Sequence, residues 1–285
     1  MWLRVLPLTC LTLGVLAMSS ALSCSSQPQT PPTLAQTADQ PKDLQIFLAF
    51  GQSNMEGVPK PQAEDQAGHP RLFVLAYDGE CHNRTYNEWA PAFAPLHRCW
   101  AGVGPGDWFT RTMADAWPNA KIGIVPAAIS GVDIDLFRKG VVSKRRKEFQ
   151  IPPDNHYTSA YDMLIDRARL AQKSGTIRGI IFHQGESDNG DGEWVDKVKE
   201  IVSDLRRDLG LSQDVPFLAG ELPFDACCGG HNELVRQLPN VIPGAYVVSA
   251  RDLTIMDQYH FDRASQRELG RRYAALMLDL IPAPK

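Results

Sequence analysis

A series of short, nearly uninterrupted apolar runs constrains this chain more than any other feature. They are "LQIFLAF" (44–50), "RLFVLAY" (71–77), "KIGIVPAA" (121–128), "IRGIIFH" (177–183), "VPFLAGE" (215–221) and "AYVVSA" (245–250). A strand with one face in water alternates apolar and polar residues. A continuous run must be covered on both faces, as in a parallel sheet packed between layers of helices. The intervening segments have helical spacing. "DWFTRTMADAW" (107–117) places Trp108, Phe109, Met113 and Trp117 on a shared face, which assigns Trp108 to the core. "SAYDMLIDRARLAQKSG" (159–175) carries Tyr161, Leu164, Ile165 and Ala168 on one stripe, with Gly175 in the C′ position. "GEWVDKVKEIVSDLRRDLG" (192–210) does the same and stops at Gly210, and a closing helix starts after Asp262, an N-cap residue. Strands alternating with helices predict an α/β fold of three layers, α/β/α, around a mostly parallel sheet. No repeat and no second composition boundary appears, so residues 44–285 read as one domain.

In an open parallel sheet, ligands bind beyond the carboxyl ends of the strands. The residues just after each run are therefore the informative ones. The first run ends in Gly51-Gln52-Ser53-Asn54, and the 121–128 run in Ile129-Ser130-Gly131-Val132-Asp133. The 177–183 run ends in His183-Gln184-Gly185-Glu186-Ser187-Asp188, and the last leads into Asp257-Gln258-Tyr259-His260. Loops are polar and glycines make turns, so each segment taken alone has an ordinary explanation. Together they meet the needs of acyl transfer. A serine hydroxyl needs a neutral imidazole to remove its proton. The imidazole needs a carboxylate on its other nitrogen, and the tetrahedral intermediate needs uncharged donors aimed at its oxyanion. Asp257 and His260, three residues apart before a helix, can share one turn.

"GQSNM" at 51–55, Gly131, "HQGESD" at 183–188 and Asp257-x-x-His260-Phe261 resemble, in order, the blocks of the SGNH-hydrolase superfamily. Within it they are similar to the carbohydrate O-acetylesterases: the acetylxylan esterases of carbohydrate esterase family six and the sialate O-acetylesterases. The resemblance implies a flavodoxin-like fold and hydrolysis of acetyl esters on sugars without a metal or other cofactor. It makes Ser53 the nucleophile, His260 the base and Asp257 its orienting partner. The oxyanion donors would be the Ser53 and Gly131 N–H groups and the Gln184 carboxamide, which stands where the superfamily has asparagine. Gly104, in "GVGPGDWF", is a second oxyanion candidate, set behind Gly131 because it serves a turn into a helix. Glu186 either braces its loop or replaces Asp257; the Asp already present before His260 favours the brace. The expected partner is an acetylated oligo- or polysaccharide, acetylxylan or a related glycan, with sialate as the alternative. A short-chain arylesterase, thioesterase or lipase on the same fold, and a catalytically silent carbohydrate-binding protein, are the competing readings.

The N-terminal segment reads differently. Residues 1–23 combine one arginine, an apolar run and small residues, the pattern of a secretory signal, with an uncleaved membrane anchor as the alternative. Ala21-Leu22-Ser23-Cys24 also resembles a bacterial lipoprotein box, with Ala21 where leucine is usual. Residues 24–43 are rich in Ser, Gln, Thr and Pro and form a tether. The expectation is an exported enzyme, in the periplasm, at the cell surface through a lipid on Cys24, or in the medium. In an oxidising compartment Cys81 pairs most simply with Cys99, while Cys227 and Cys228 form a vicinal bridge or pair elsewhere. Cys81-His82 and His97-x-Cys99 also offer zinc-ligand types, but without the spacing of zinc modules.

A net charge of −4 leaves no electrostatic footprint for nucleic acid. The one basic cluster, "FRKGVVSKRRKEF" (137–149), is either a solvated face or a contact for an acidic glycan. Trp89 and Trp100, in loops rich in Pro, Cys and Gly, are either core or a surface for stacking sugar rings. His156 reads as a loop histidine.

Overall fold

The computed structural model describes residues 40–79, 81–151 and 156–284. The leader over 1–23, Cys24 and all of the tether but 40–43 lie outside them. The elements, in chain order, are β1 (Leu44–Gly51), α1 (Ser53–Glu56), β2 (Leu72–Leu75), β3 (Trp89–Pro91), α2 (Pro105–Ala116), β4 (Lys121–Pro126) and α3 (Ala160–Gln172). Next come β5 (Gly175–His183), α4 (Trp194–Leu209), β6 (Phe217–Gly220), α5 (Asn232–Val235), α6 (Leu238–Val241), β7 (Ala245–Val248) and α7 (Arg263–Leu280). No described helix is long and apolar enough to cross a membrane.

The strands form one seven-stranded sheet in the order β3-β2-β4-β1-β5-β6-β7. Every pairing is parallel except β2 with β3. The continuous apolar runs have their physical cause here. Odd and even residues of β1 face different cores: Ile46, Leu48 and Phe50 enter one with Leu164, Phe182 and Leu205, while Phe47 and Ala49 enter the other with Phe109, Met113 and Tyr273. Helices α3 and α4 cover the first face, and α2 and α7 the second. Strand β1 is central, and the chain leaves it toward β2 on one side and later returns to β5 on the other. That makes the carboxyl end of β1 the topological switch point.

Several local expectations are revised. Gly175 does not cap α3; it opens β5, and a Cβ there would lie 2.1 Å from the Leu44 carbonyl oxygen, so it permits close strand approach. Trp89 is not in a loop. It lies in edge strand β3, donates its indole N–H to Ser174 Oγ at 3.0 Å and packs against the core, far from the loops at the switch point. Trp108 is only half-buried: its indole donates to Asp65 Oδ1 at 3.0 Å, and Arg111, Arg267 and Arg271 lie over its ring. Gly210 does end α4 in the left-handed region, and Asp262 accepts the Ser265 N–H at 2.8 Å as N-cap of α7.

Cys81 is bonded to Cys99, and Cys227 to Cys228. The zinc reading of the first segment does not fit this geometry. Its two sulfurs bond to each other, His82 packs edge-on against Phe93, and His97 is buried beside Tyr77. The basic cluster is mostly satisfied internally: Arg138 pairs with Asp135 and Glu200, Lys139 with Asp208, and Arg145 with Glu148, while Arg146 donates to three backbone carbonyls. His156 is exposed beside Tyr157.

Candidate active site

Gly51 explains how the first site residue is delivered. Its φ is +138° and a Cβ would stand 2.0 Å from the His183 carbonyl oxygen, so only glycine lets β1 turn this close to the end of β5. The next N–H, of Gln52, donates to that same carbonyl at 2.9 Å, and the chain then enters α1 with Ser53 as its first residue. Ser53 Oγ lies 3.1 Å from His260 Nε2, and His260 Nδ1 lies 2.8 Å from Asp257 Oδ2. The other Asp257 oxygen accepts the N–H groups of Tyr259 and His260 at 2.8 and 2.9 Å, which fixes the carboxylate relative to the ring. Slight burial works to raise the Asp257 carboxyl, but the hydrogen bonds from the His260 ring and from these two N–H groups outweigh it and hold it below the usual range. Residues 207 positions apart in sequence thus form one hydrogen-bonded relay above the carboxyl edge of the sheet.

The relay opens into a cleft of about 470 Å³ lined by Gln52, Val58, Trp100, Ser130, Gly131 and Tyr259, among others. Trp100 and Tyr259 are exposed, at 62% and 43%, so two of the lining side chains are aromatic rings reached by solvent. No lysine or arginine is among the described residues lining the cleft. The Ser53 and Gly131 N–H groups meet no acceptor among the described residues.

Gln184 does not reach this cleft. Its carboxamide nitrogen donates to the Val132 carbonyl at 3.2 Å and to Asp188 Oδ2, and its oxygen accepts the Trp194 indole N–H at 2.7 Å. With both ends committed and the residue buried, it cannot donate to a group bound at Ser53. The amide that does line the cleft is Gln52: its oxygen accepts the N–H groups of Gly185 and Ser187 at 3.2 and 3.4 Å, and its amino group has no acceptor among the described residues. Gly104 is likewise committed, as N-cap of α2, with its N–H donated to Asp107 Oδ2 at 3.0 Å.

Glu186 lines the cleft but does not touch His260 Nδ1, which Asp257 occupies. Its Oε1 accepts the Asn54 carboxamide at 2.6 Å and faces His183 Nε2 at 3.8 Å. Burial pushes its carboxyl up to about 7, against the opposing pull of the Asn54 hydrogen bond. Sequence reasoning passed over Asn54, which does more than Glu186 to assemble the site. Its amino group also donates to the Tyr259 carbonyl at 3.0 Å, and its oxygen accepts the Phe261 N–H at 3.2 Å and the Gln266 amide at 3.1 Å. The signal was present: a buried amide beside the serine has four hydrogen-bonding positions to satisfy.

Residues 43–279 match the family described as carbohydrate esterase, sialic acid-specific acetylesterase. The chain belongs to this family. A probable carbohydrate esterase of Arabidopsis thaliana is 26% identical over 258 residues, covering 82% of this chain and 90% of its own. The crystal structure of an Arabidopsis thaliana protein is similar at 25% identity and a TM-score of 0.67, over 83% of this chain and 98% of that one. NanS (TM-score 0.66, 20% identity, 85% of this chain and 98% of that one) shares the fold. So does a carbohydrate acetylesterase from Xanthomonas citri (0.57, 20%, 81% and 55%). As a member of the sialic acid-specific acetylesterase family, the chain is a carbohydrate acetylesterase, a carboxylic ester hydrolase on an SGNH-type α/β fold.

Proposed function

We propose that this carbohydrate acetylesterase works through a Ser53–His260–Asp257 triad and an acetyl-enzyme, and that its substrate is a neutral O-acetylated glycan such as acetylxylan. The observation that carries the reading is the unbroken relay from Ser53 Oγ through both His260 nitrogens to Asp257. In the first step His260 Nε2 takes the Ser53 hydroxyl proton as Oγ attacks the acetyl carbonyl. The oxyanion then lies against the Ser53 and Gly131 N–H groups and the Gln52 amino group, donors with no acceptor among the described residues to give up. The imidazolium, stabilised by Asp257, returns the proton to the departing sugar oxygen. Water, deprotonated by the same nitrogen, adds to the acetyl-enzyme, and acetate leaves as Ser53 regains its proton.

A neutral sugar fits the cleft better than an acidic one. Its lining offers the aromatic rings of Trp100 and Tyr259 for stacking and, among the described residues, no cation for a carboxylate. The nearby guanidinium of Arg98 is paired with Glu56, and that of Arg145 with Glu148. Sialate is the second reading, favoured by the description of the matching family. Acetate release from acetylated xylan, acetylated mannan and O-acetyl sialate decides between them. Ser53→Ala is expected to lower turnover on the best substrate by on the order of 10⁴-fold. Preference for O-acetyl sialate overturns the neutral-glycan reading, and turnover surviving Ser53→Ala overturns the triad.

A further inference from the structure

The turn that brings Gly131 to the cleft is not held by its own strand alone. Ser130, one residue before, donates its N–H to Glu56 Oε2 at 2.7 Å, and its hydroxyl donates to the same oxygen. Glu56 is the last residue of α1, the one-turn helix that begins with Ser53, and it is 1% exposed. Its other oxygen accepts no hydrogen bond among the described residues and faces Arg98 Nε at 3.4 Å. The Arg98 guanidinium in turn lies 5.3 Å from the Trp100 ring centroid. One buried carboxylate therefore joins the nucleophile's helix, the Ser130–Gly131 turn and the aromatic wall of the cleft.

A carboxylate is an expensive residue to bury, and hydrophobic packing alone would not require one here. Burial raises the Glu56 carboxyl, while Arg98 and the two Ser130 donors pull it back. What the charge supplies is two directed hydrogen bonds on a single oxygen, set at a fixed distance from Ser53 by the α1 backbone. The Gly131 carbonyl is separately anchored by the Ser187 hydroxyl at 2.9 Å, and the Ile134 N–H by Asp188 at 2.9 Å. Those anchors tie the turn to the loop after β5. Glu56 ties it to the helix that carries the nucleophile.

We propose that Glu56 is a positioning residue for acetyl-ester hydrolysis: through Ser130 it sets the Gly131 N–H at the place where the oxyanion develops at Ser53. The proposal rests on the triad and oxyanion reading above. Because the contact acts on the tetrahedral state, its loss lowers kcat and leaves ground-state binding nearly intact.

The experiment measures kcat, KM and inhibition by a small alkylboronic acid, which takes Ser53 Oγ as a fourth ligand and mimics the tetrahedral oxyanion. Active sites are counted by organophosphate labelling, so that loss of folded enzyme does not register as loss of rate. Glu56→Leu is expected to lower kcat by on the order of 10²-fold and Ser130→Ala by roughly tenfold, with KM changed by no more than about twofold. Glu56→Gln, which keeps an acceptor oxygen, is expected to restore most of the Glu56→Leu loss. Boronate affinity falls in parallel with kcat/KM. If Glu56→Leu does not fold, Ser130→Ala, which leaves the core intact, decides alone. Wild-type kcat and boronate affinity per labelled site in the folded variants overturn the proposal, as does a loss confined to KM. Acetate release that survives Ser53→Ala overturns the triad reading instead, so the two failures are distinct.

Discussion

Two glutamines flank the strand ends at the switch point, and their fates show how finely single residues divide the work. Gln184 spends its carboxamide on Val132, Asp188 and the Trp194 indole, and so fastens the loop after β5 to α4. Gln52, which lines the cleft, spends only its oxygen, on the Gly185 and Ser187 N–H groups, and its amino group has no acceptor among the described residues. Removing an oxyanion donor typically costs 10²–10³-fold in turnover. Gln52→Ala is therefore expected to lower kcat by about 10²-fold. Gln52→Glu, which keeps the acceptor for Gly185 and Ser187 but loses the donor, should lower it at least as much. Gln184→Ala should chiefly lower the melting temperature, since it strands the buried Trp194 N–H and frees Asp188 from a partner. Turnover and melting curves on the three variants check this. A Gln184→Ala enzyme that is stable but slow would return the donor role to Gln184.

At the scale of elements, the segment from Arg251 to Asp262 carries both His260 and Asp257 yet contains no helix or strand, only an isolated bridge between Ile255 and Phe261. Its shape comes partly from within, with the Met256 N–H on the His260 carbonyl at 2.9 Å and the Asp262 N–H on the Thr254 carbonyl at 3.1 Å, and partly from outside. Asn54 on α1 grips the Tyr259 carbonyl and the Phe261 N–H, and the Cys227 N–H grips the Gln258 carbonyl. Asn54→Ala is expected to loosen this segment while leaving the sheet intact. Amide exchange should accelerate over 256–261 but not in β1 or β5, with kcat lowered by about 10²-fold through misplacement of the imidazole. Unchanged exchange there would show that the disulfide-bearing loop suffices.

Elements also differ in how legible they are in the sequence. The central strands were legible because a run buried on both faces has to be continuous, and the loops after them were legible because they turn polar at once. Trp89 was misread because β3 is three residues long and its pairing with β2 leaves no periodicity to detect. Gln52 and Gln184 were interchangeable on paper, since both are amides at strand ends. Which one faces the cleft depends on neighbours such as Trp194 that lie elsewhere in the chain. Arg167 marks the same limit: on paper it is a polar residue of α3, but it is fully buried and donates to the carbonyls of Leu75, Ala76 and Pro126.

The whole molecule carries buried titratable groups of both kinds, and their effects on stability oppose each other. Burial holds His97 and His183 down to about 3 and His231 down to about 4, from an ordinary value of 6.5. The unfolded chain therefore binds these protons first, and stability is lost as pH falls below 6.5. Burial lifts Glu186 and Asp107 to about 7 and Asp188 to about 6, and raises Glu56 as well. These carboxyls bind protons in the folded state first, so they add stability as pH falls from about 7 toward the ordinary values near 4 to 4.5. Between about pH 6.5 and 5 the two sets offset, and stability should be nearly flat. Below about pH 4.5 the gain from Glu56 and Glu186 stops, and below about pH 3.8 that from Asp107 and Asp188 stops too. Below that His97 and His183 act alone, because His231, held only down to about 4, has by then taken its proton in the fold; stability should fall by roughly 3 kcal/mol per pH unit. Asp257 and Asp65, held below the usual range in the fold, add to that loss. Urea unfolding from about pH 3 to 8 checks the shape. Glu186→Gln isolates one member of the set, because it keeps an acceptor for Asn54 but cannot charge. It should be more stable than the wild type at pH 8, by on the order of 3 kcal/mol at most, and match it near pH 4.5. A wild-type profile that falls steadily from pH 6.5 would mean that the buried carboxyls are charged throughout. In that case the Glu186→Gln advantage at pH 8 should vanish with them.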